Sequence, residues 1–301
     1  MTRFYWHTCY AHPLPEGHRF PMQKYNDVHE EIIRRGLCNE AHFYMPEMAK
    51  TNQLKRVHHP EYVESTLQLN WPDNMLRRLG FGPLTEELIE RERLLCGGTI
   101  QAAEYAIAHG AAINLAGGTH HAFSDKGEGY CIFNDVAVAA QEMVSVQGMY
   151  QVLIVDLDVH QGNGTAEIFE GNTAVYTFSM HSRKGYPLKK QSSDRDVELA
   201  AGTTGESYLE RLKQELLLLS DNTRAEMVFY VAGVDVIAGD KLGDLQLTAD
   251  DCRQRDELVY EWCFNKGLPV VTTLGGGYHE DLATITTTHC NTVQSCVKFW
   301  Q

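Results

Sequence analysis

Five short apolar runs punctuate this 301-residue chain: Ala111 to Ala116, Val152 to Asp156, Ala174 to Ser179, Met227 to Ala232 and Leu268 to Leu274. The segments between them carry helical patterning, and this alternation constrains the fold more than any other feature. A strand apolar on both faces must be covered on both faces. Strands alternating with helices satisfy that requirement as an α/β protein, a parallel sheet between two helical layers.

The helices announce their ends. Thr85 precedes Glu86 and Glu87 and opens an amphipathic segment closing near Gly110; Thr248, followed by Asp250 and Asp251, opens another that ends at Lys266-Gly267-Leu268-Pro269. Leu209, Leu212, Leu216 and Leu219 form one apolar stripe after Gly205, too short for a coiled coil and therefore core. No repeat, low-complexity tract or linker divides the chain. The longest polar connection, His181 to Thr204, carries Arg183, Lys184, Lys189, Lys190 and Arg195. A loop of that length is expected at the rim of a functional site or to be locally mobile.

Composition excludes several classes. A net charge of −14 disfavours nonspecific nucleic-acid binding, which needs clustered Lys and Arg. No apolar span is long enough to cross a bilayer and Met1 to His7 has no export pattern, so a cytoplasmic location is the default expectation. The eight cysteines include no C-x-x-C pair and are expected to be reduced and mostly buried.

Chemistry is concentrated where the strands end. Ligands of parallel sheets bind beyond the carboxyl ends of the strands. Those ends read Gly117-Gly118-Thr119-His120-His121, Asp156-Leu157-Asp158-Val159-His160, Ser179-Met180-His181, Gly233-Val234-Asp235 and Gly275-Gly276-Gly277-Tyr278. Continued extended backbone would turn Asp156, Asp158 and His160 to one face, a donor set suited to a divalent metal. Any one of these residues alone is commonly a solvated loop residue or a helix cap. One topological rule nevertheless brings residues 120 to 278 to one mouth, which favours a single domain over residues 1–301.

Gly117 to Ala122, Gly129-Tyr130-Cys131-Ile132-Phe133-Asn134-Asp135, Asp156 to Gly164, Ala232 to Asp240 and Leu274 to Tyr278 resemble, in order and spacing, the zinc-dependent histone deacetylases of the arginase–deacetylase superfamily. The resemblance runs from about residue 10 to the C-terminus. Asp158-Val159-His160-Gln161-Gly162-Asn163-Gly164 and Gly239-Asp240-Lys241-Leu242-Gly243 look most like class IV and its bacterial relatives. It implies a central, mostly parallel sheet of about eight strands with helices on both faces. The implied reaction is zinc-dependent hydrolysis of an Nε-acyl-lysine amide, on a protein, a peptide or a small acylated amine.

By the same resemblance Asp158, His160 and Asp235 hold the zinc, a set that does not strongly exclude iron(II). His121 matches the general base and His120 its electrostatic partner, with Asp156 behind His120 and Asn163 behind His121. Class I members carry Asp at this last position; Asn cannot stabilise an imidazolium by charge, so the His121 pKa is expected to be lower here. Tyr278 matches the oxyanion donor. Gly129 is expected to accept the substrate amide N–H, and Tyr130, Tyr186 and Leu242 to line a narrow tunnel. A monovalent cation, potassium, is implied at Asp156, Asp158, His160, Ser179 and Met180. His12, His18 and Arg19 fall in a segment resembling the loop beside a product-exit channel, whereas His58, His59, His109, His279 and His289 match no catalytic position. The alternatives are an acetylpolyamine or other small-amide hydrolase, a two-manganese ureohydrolase on the related fold, and a catalytically silent acyl-lysine binder.

Overall fold

A computed structural model describes residues 2–300. Eight strands form one sheet in the order β2-β1-β3-β8-β7-β4-β5-β6, and every neighbouring pair is parallel. The strands are β1 (Arg3–Tyr5), β2 (Phe43–Tyr44), β3 (Ala111–Asn114), β4 (Val152–Asp156), β5 (Val175–Ser182), β6 (Arg195–Leu199), β7 (Met227–Val231) and β8 (Val270–Thr273). Among the described residues ten α-helices accompany them: α1 (Lys24–Arg34), α2 (Thr51–Leu54), α3 (Pro60–Leu67), α4 (Asp73–Leu79), α5 (Glu86–His109), α6 (Asp135–Ser145), α7 (Asn163–Ile168), α8 (Gly205–Asn222), α9 (Ala249–Lys266) and α10 (Leu282–Phe299).

The five apolar runs are β3, β4, β5, β7 and β8, and alternation sorts their side chains between two cores. Val152 and Ile154 of β4, with Phe229 and Val231 of β7, pack beneath α5 and α6. Leu153 and Val155, with Val228 and Tyr230, face α8, α9 and α10. Thr85 caps α5 by accepting the Leu88 N–H at 3.1 Å, and Thr248 forms a capping box with Asp251 on α9; each such cap contributes about 1 kcal/mol. Gly267 ends α9 in the left-handed region at φ 66°. All eight cysteines are free thiols, six of them buried.

The outer strands depart from expectation. β1 and β2 are only three and two residues long, too short for a period to show. β6 lies inside the segment expected to be a polar loop. Its Arg-Asp-Val-Glu-Leu sequence buries only Val197 and Leu199, because an edge strand exposes the rest. Arg195 pairs with the buried Glu215 of α8 through two 2.8 Å bonds, so part of that segment's charge holds the sheet edge to a helix.

This strand order positions the site. The chain leaves β3 for β4, builds outward to β6, then returns to insert β7 and β8 between β4 and β3. The carboxyl ends of β3, β8, β7 and β4 therefore stand side by side, a topological switch point.

Candidate functional site

Strand β4 ends at Asp156, earlier than a continued extended face requires. The Asp158 N–H donates to Asp156 Oδ1 at 3.1 Å and the His160 N–H to Asp158 Oδ1 at 3.0 Å. Each carboxylate thus ties down the backbone two residues on, and the segment bends. Asp156 is directed at His120, and Asp158 and His160 at Asp235. The expectation of one shared strand face is corrected accordingly, while the three side chains remain within one buried neighbourhood.

Asp158, His160 and Asp235 each offer a ligating atom within 4.8 Å of the others. Val159 N–H occupies Asp235 Oδ1 at 2.9 Å and Gly276 N–H occupies Asp158 Oδ2 at 2.7 Å. His160 Nε2–H donates to the Leu242 carbonyl at 3.3 Å, which leaves Nδ1 facing the carboxylates, 3.0 Å from Asp158 Oδ1 and 3.2 Å from Asp235 Oδ2. Asp235 Oδ2 is nevertheless buried without a hydrogen-bond partner, because it lies off the donor axis. Burial, reinforced by Asp158, pushes the Asp235 carboxyl up to about 7. Burial alone would keep His160 neutral, but its two carboxylate neighbours hold its pKa well above the usual value. A proton between two carboxylates and one orphaned carboxylate oxygen is what a cation-binding set of two carboxylates and an imidazole shows on its own. The close approach needs glycine: a Cβ on Gly276 would stand 1.9 Å from Asp235 Oδ2.

From α9 the buried Arg255 holds the two ligand loops together, donating to the Gly233 carbonyl at 2.5 Å and the Leu157 carbonyl at 3.4 Å while paired with Asp256 at 2.8 Å. Nothing in the local pattern of α9 announces this role; it depends on where the helix packs.

His120 and His121 lie beside this cluster with ring centroids 4.1 Å apart. His120 Nδ1 is 2.6 Å from Asp156 Oδ2, and His121 Nδ1 donates to Asn163 Oδ1 at 2.6 Å. The tautomer of His121 is thereby fixed with Nε2 unprotonated. The two rings diverge electrostatically. Burial works against charge on His120, but the carboxylates of Asp156 and Asp158 outweigh it and hold the pKa up at about 9. Burial followed by repulsion from His120 and His160 drives His121 well below its ordinary value, and the amide of Asn163 offsets this only in part.

A pocket of about 310 Å³ descends to these groups, lined by Gly129, Tyr130, Tyr186, Leu242 and Tyr278 together with His121, His160, Leu79, Gly80, Arg77 and Arg78. Tyr130 is held in the left-handed region at φ 66°, its N–H bonded to the carbonyl of Leu79 at 2.8 Å. Tyr278 is largely buried, and its N–H donates to Asp240 Oδ2 at 2.6 Å. Ser179 pairs in register with Asp156 across β4 and β5, with its hydroxyl 2.9 Å from His181 Nδ1, and Met180 is buried beside it.

Several residues enter only through the structure. Glu128 accepts from the Tyr186 hydroxyl at 2.5 Å and from Asn163 Nδ2 at 3.4 Å, which places a carboxylate behind the His121–Asn163 pair. Its position beside Gly129 was the available signal. Behind the pocket a smaller cavity of about 30 Å³ is lined by Phe20, Tyr25, Arg91, Gly275 and Gly276 among others. Beside them Lys24 Nζ donates to the Gly275 carbonyl at 2.9 Å, and burial lowers this ammonium to about 8. The nearby His18 instead reaches the Gly80 carbonyl at 2.7 Å, and Arg19 is exposed. His58 is a core histidine bonded to Phe123 and Asn134, His289 is buried, His59 and His109 are exposed, and His279 is partly exposed.

Comparison with known proteins follows the same lines. Residues 18–293 match the histone deacetylase domain model. The chain is 41% identical over 278 residues to an uncharacterized protein of Picosynechococcus sp., covering 92% of each. It is 31% identical to histone deacetylase 2 of Arabidopsis thaliana over 89% of this chain and 71% of that one. Among solved structures, the HD domain of HDA15 superposes with a TM-score of 0.83 at 22% identity, covering 99% of this chain and 88% of that chain. A histone deacetylase homologue complexed with SAHA gives the same TM-score at 21% identity, covering 97% and 84%.

Proposed function

The chain belongs to the histone deacetylase family of hydrolytic enzymes, and from that membership we propose that it cleaves the amide bond of an Nε-acyl-lysine. The observation that carries this reading is the closed end of the pocket. There, two imidazoles with different hydrogen-bonding partners stand beside a carboxylate–imidazole–carboxylate cluster in which Asp235 Oδ2, 3.2 Å from His160 Nδ1, accepts no aligned hydrogen bond.

Asp158, His160 and Asp235 would hold zinc, with iron(II) the nearest competitor for two carboxylates and one imidazole. When bound, the ion supplies Lewis acidity, polarising the amide carbonyl and easing deprotonation of water. His121 Nε2, unprotonated and facing the pocket, takes the proton from water and returns it to the departing lysine nitrogen. His120, charged through Asp156 and Asp158, favours the negative charge that develops on the carbonyl oxygen. The Tyr278 hydroxyl donates to that same oxygen. The Gly129 carbonyl accepts the substrate amide N–H, while the rings of Tyr130 and Tyr186, with Leu242, enclose the lysine stem. The products are a carboxylate and a free lysine amine.

One cluster of metal-ligating side chains among the described residues supports a one-metal hydrolase over a two-manganese ureohydrolase. Retention of Tyr278 and of all three ligands supports a working enzyme over a silent binder. Assignment to class IV rests on the Asp158 to Gly164 and Gly239 to Gly243 runs, and potassium beside Asp156 on the family pattern together with the register of Ser179. Among the described residues no helix is long and apolar enough to cross a membrane.

The test is metal-to-protein stoichiometry after chelation and reconstitution, followed by turnover of lysine peptides bearing acetyl, octanoyl or myristoyl groups and of an acetylpolyamine. One equivalent of zinc with peptide turnover is expected. A requirement for two metal equivalents would return the ureohydrolase, and turnover of acetylpolyamine alone would make the substrate a small amine.

A further inference from the structure

The protein carries a net charge of −14, yet two arginines, Arg77 and Arg78 in the last turn of α4, line its deep pocket. Both are exposed, and among the described residues neither guanidinium has a carboxylate partner. Elsewhere on this surface arginines are commonly paired: Arg34 with Glu31, Arg195 and Arg211 with Glu215, Arg253 with Asp250.

The segment that carries them is fixed to the tunnel wall. The Arg78 carbonyl accepts the Gly129 N–H at 3.1 Å and the Leu79 carbonyl accepts the Tyr130 N–H at 2.8 Å. His18 bonds the Gly80 carbonyl at 2.7 Å, and Phe81 stacks on Tyr130 with centroids 5.3 Å apart. The backbone bearing both guanidinium groups is therefore set relative to the bottom of the pocket. Two further exposed cations flank lining residues in sequence, Lys184 before Tyr186 and Lys241 before Leu242. The acidic groups of the wall are engaged inward, Glu128 with Tyr186 and Asn163, and Asp240 with the N–H groups of Leu242, Gly243 and Tyr278.

We propose that Arg77 and Arg78 determine specificity, selecting an acyl-lysine presented with a carboxylate beside it. This deepens the acyl-lysine reading and rests on it. The planar guanidinium fork matches a carboxylate in two-point geometry, and an unpaired fork at the mouth also repels a lysine set among other cations. The carboxylate has two sources of the same chemistry, an acidic residue flanking the modified lysine in a peptide or the free α-carboxylate of an acylated lysine.

The zinc-reconstituted enzyme is assayed on matched acyl-lysine peptides flanked by Asp, by Ser or by Arg, and on free Nε-acyl-lysine against its α-amide. Exposed pairs contribute a few-fold each, so wild type should favour the Asp-flanked over the Arg-flanked peptide by about tenfold in kcat/KM at low salt, less at high salt. In Arg77→Glu/Arg78→Glu the ratio should invert, and in Arg77→Gln/Arg78→Gln it should approach one. A ratio between two substrates on one preparation is unaffected by an overall loss of activity. A preference confined to free acyl-lysine over its amide, abolished in the double variants, assigns the carboxylate to a small molecule. Turnover with no charge preference in either series, or a preference that survives charge reversal, overturns the role of these arginines and leaves the deacylase reading standing. Absence of turnover on every substrate overturns the acyl-lysine reading and this inference with it.

Discussion

The floor of the pocket and its mouth are built by opposite means. At the floor, Asp158, Asp235, His120 and His121 come from the ends of the central strands, all buried, each oriented by a backbone N–H or a buried partner. At the mouth, Tyr130, Tyr186, Leu242 and the α4 arginines come from four separate connections and are partly or largely exposed. Inside the floor each charge is felt by its neighbours with little screening, so small changes there alter chemistry. At the mouth, water screens the charges, and changes there alter which substrate enters.

The largest effect should come from the floor. His121→Ala is expected to lower kcat by about two to four orders of magnitude without releasing metal, the usual worth of a general base, whereas His120→Ala keeps measurable activity. Elemental analysis beside the rate assay checks both halves; a greater loss from His120→Ala would exchange the two roles. Tyr278→Phe should cost roughly two to three orders of magnitude in kcat with metal content intact. Near wild-type kcat would remove this hydroxyl from the mechanism.

Asn163→Asp sharpens the contrast between the two dyads. A carboxylate 2.6 Å from His121 Nδ1 would stabilise the imidazolium and raise a pKa that burial and two neighbouring imidazoles now depress. Because the base must be unprotonated, a raised pKa moves the acidic limb of the kcat/KM profile to higher pH, by about one to three units for a close opposite charge. An unmoved limb would show that Asn163 does not tune the base. The mouth should respond least: Tyr186→Phe, which removes the hydrogen bond to Glu128, is expected to change kcat/KM on an acetyl-lysine peptide by less than about tenfold, the worth of one net hydrogen bond. A loss of two orders or more would erase the distinction between floor and mouth.

The ease of reading each region from sequence follows the same division. Central strands announce themselves because burial on both faces demands continuous apolar residues, and β4 and β7 begin at the expected residues, 152 and 227. Short edge strands such as β1, β2 and β6 are specified by their neighbours and carry little signal of their own. The candidate floor residues were legible because His120-His121, Asp158, His160, Asp235 and Tyr278 each follow a strand within a few positions. Glu128, Lys24 and Arg255 were not. Each acts through a partner 22 to 251 residues away, Asn163, Gly275 and Gly233 among them, and no local period encodes such a distance.

The sequence by itself determined the parallel α/β architecture, the strands whose ends meet, and the residue types available there, because hydrophobic periodicity and strand-end chemistry are local properties of the chain. Tertiary structure alone decided that Asp156 meets His120 while His160 meets Asp235, that His120 and His121 acquire opposite electrostatic environments, and that α4 delivers Arg77 and Arg78 to the mouth. Those outcomes depend on which carboxylates, amides and carbonyls are buried against one another, and burial is a property of the packed molecule.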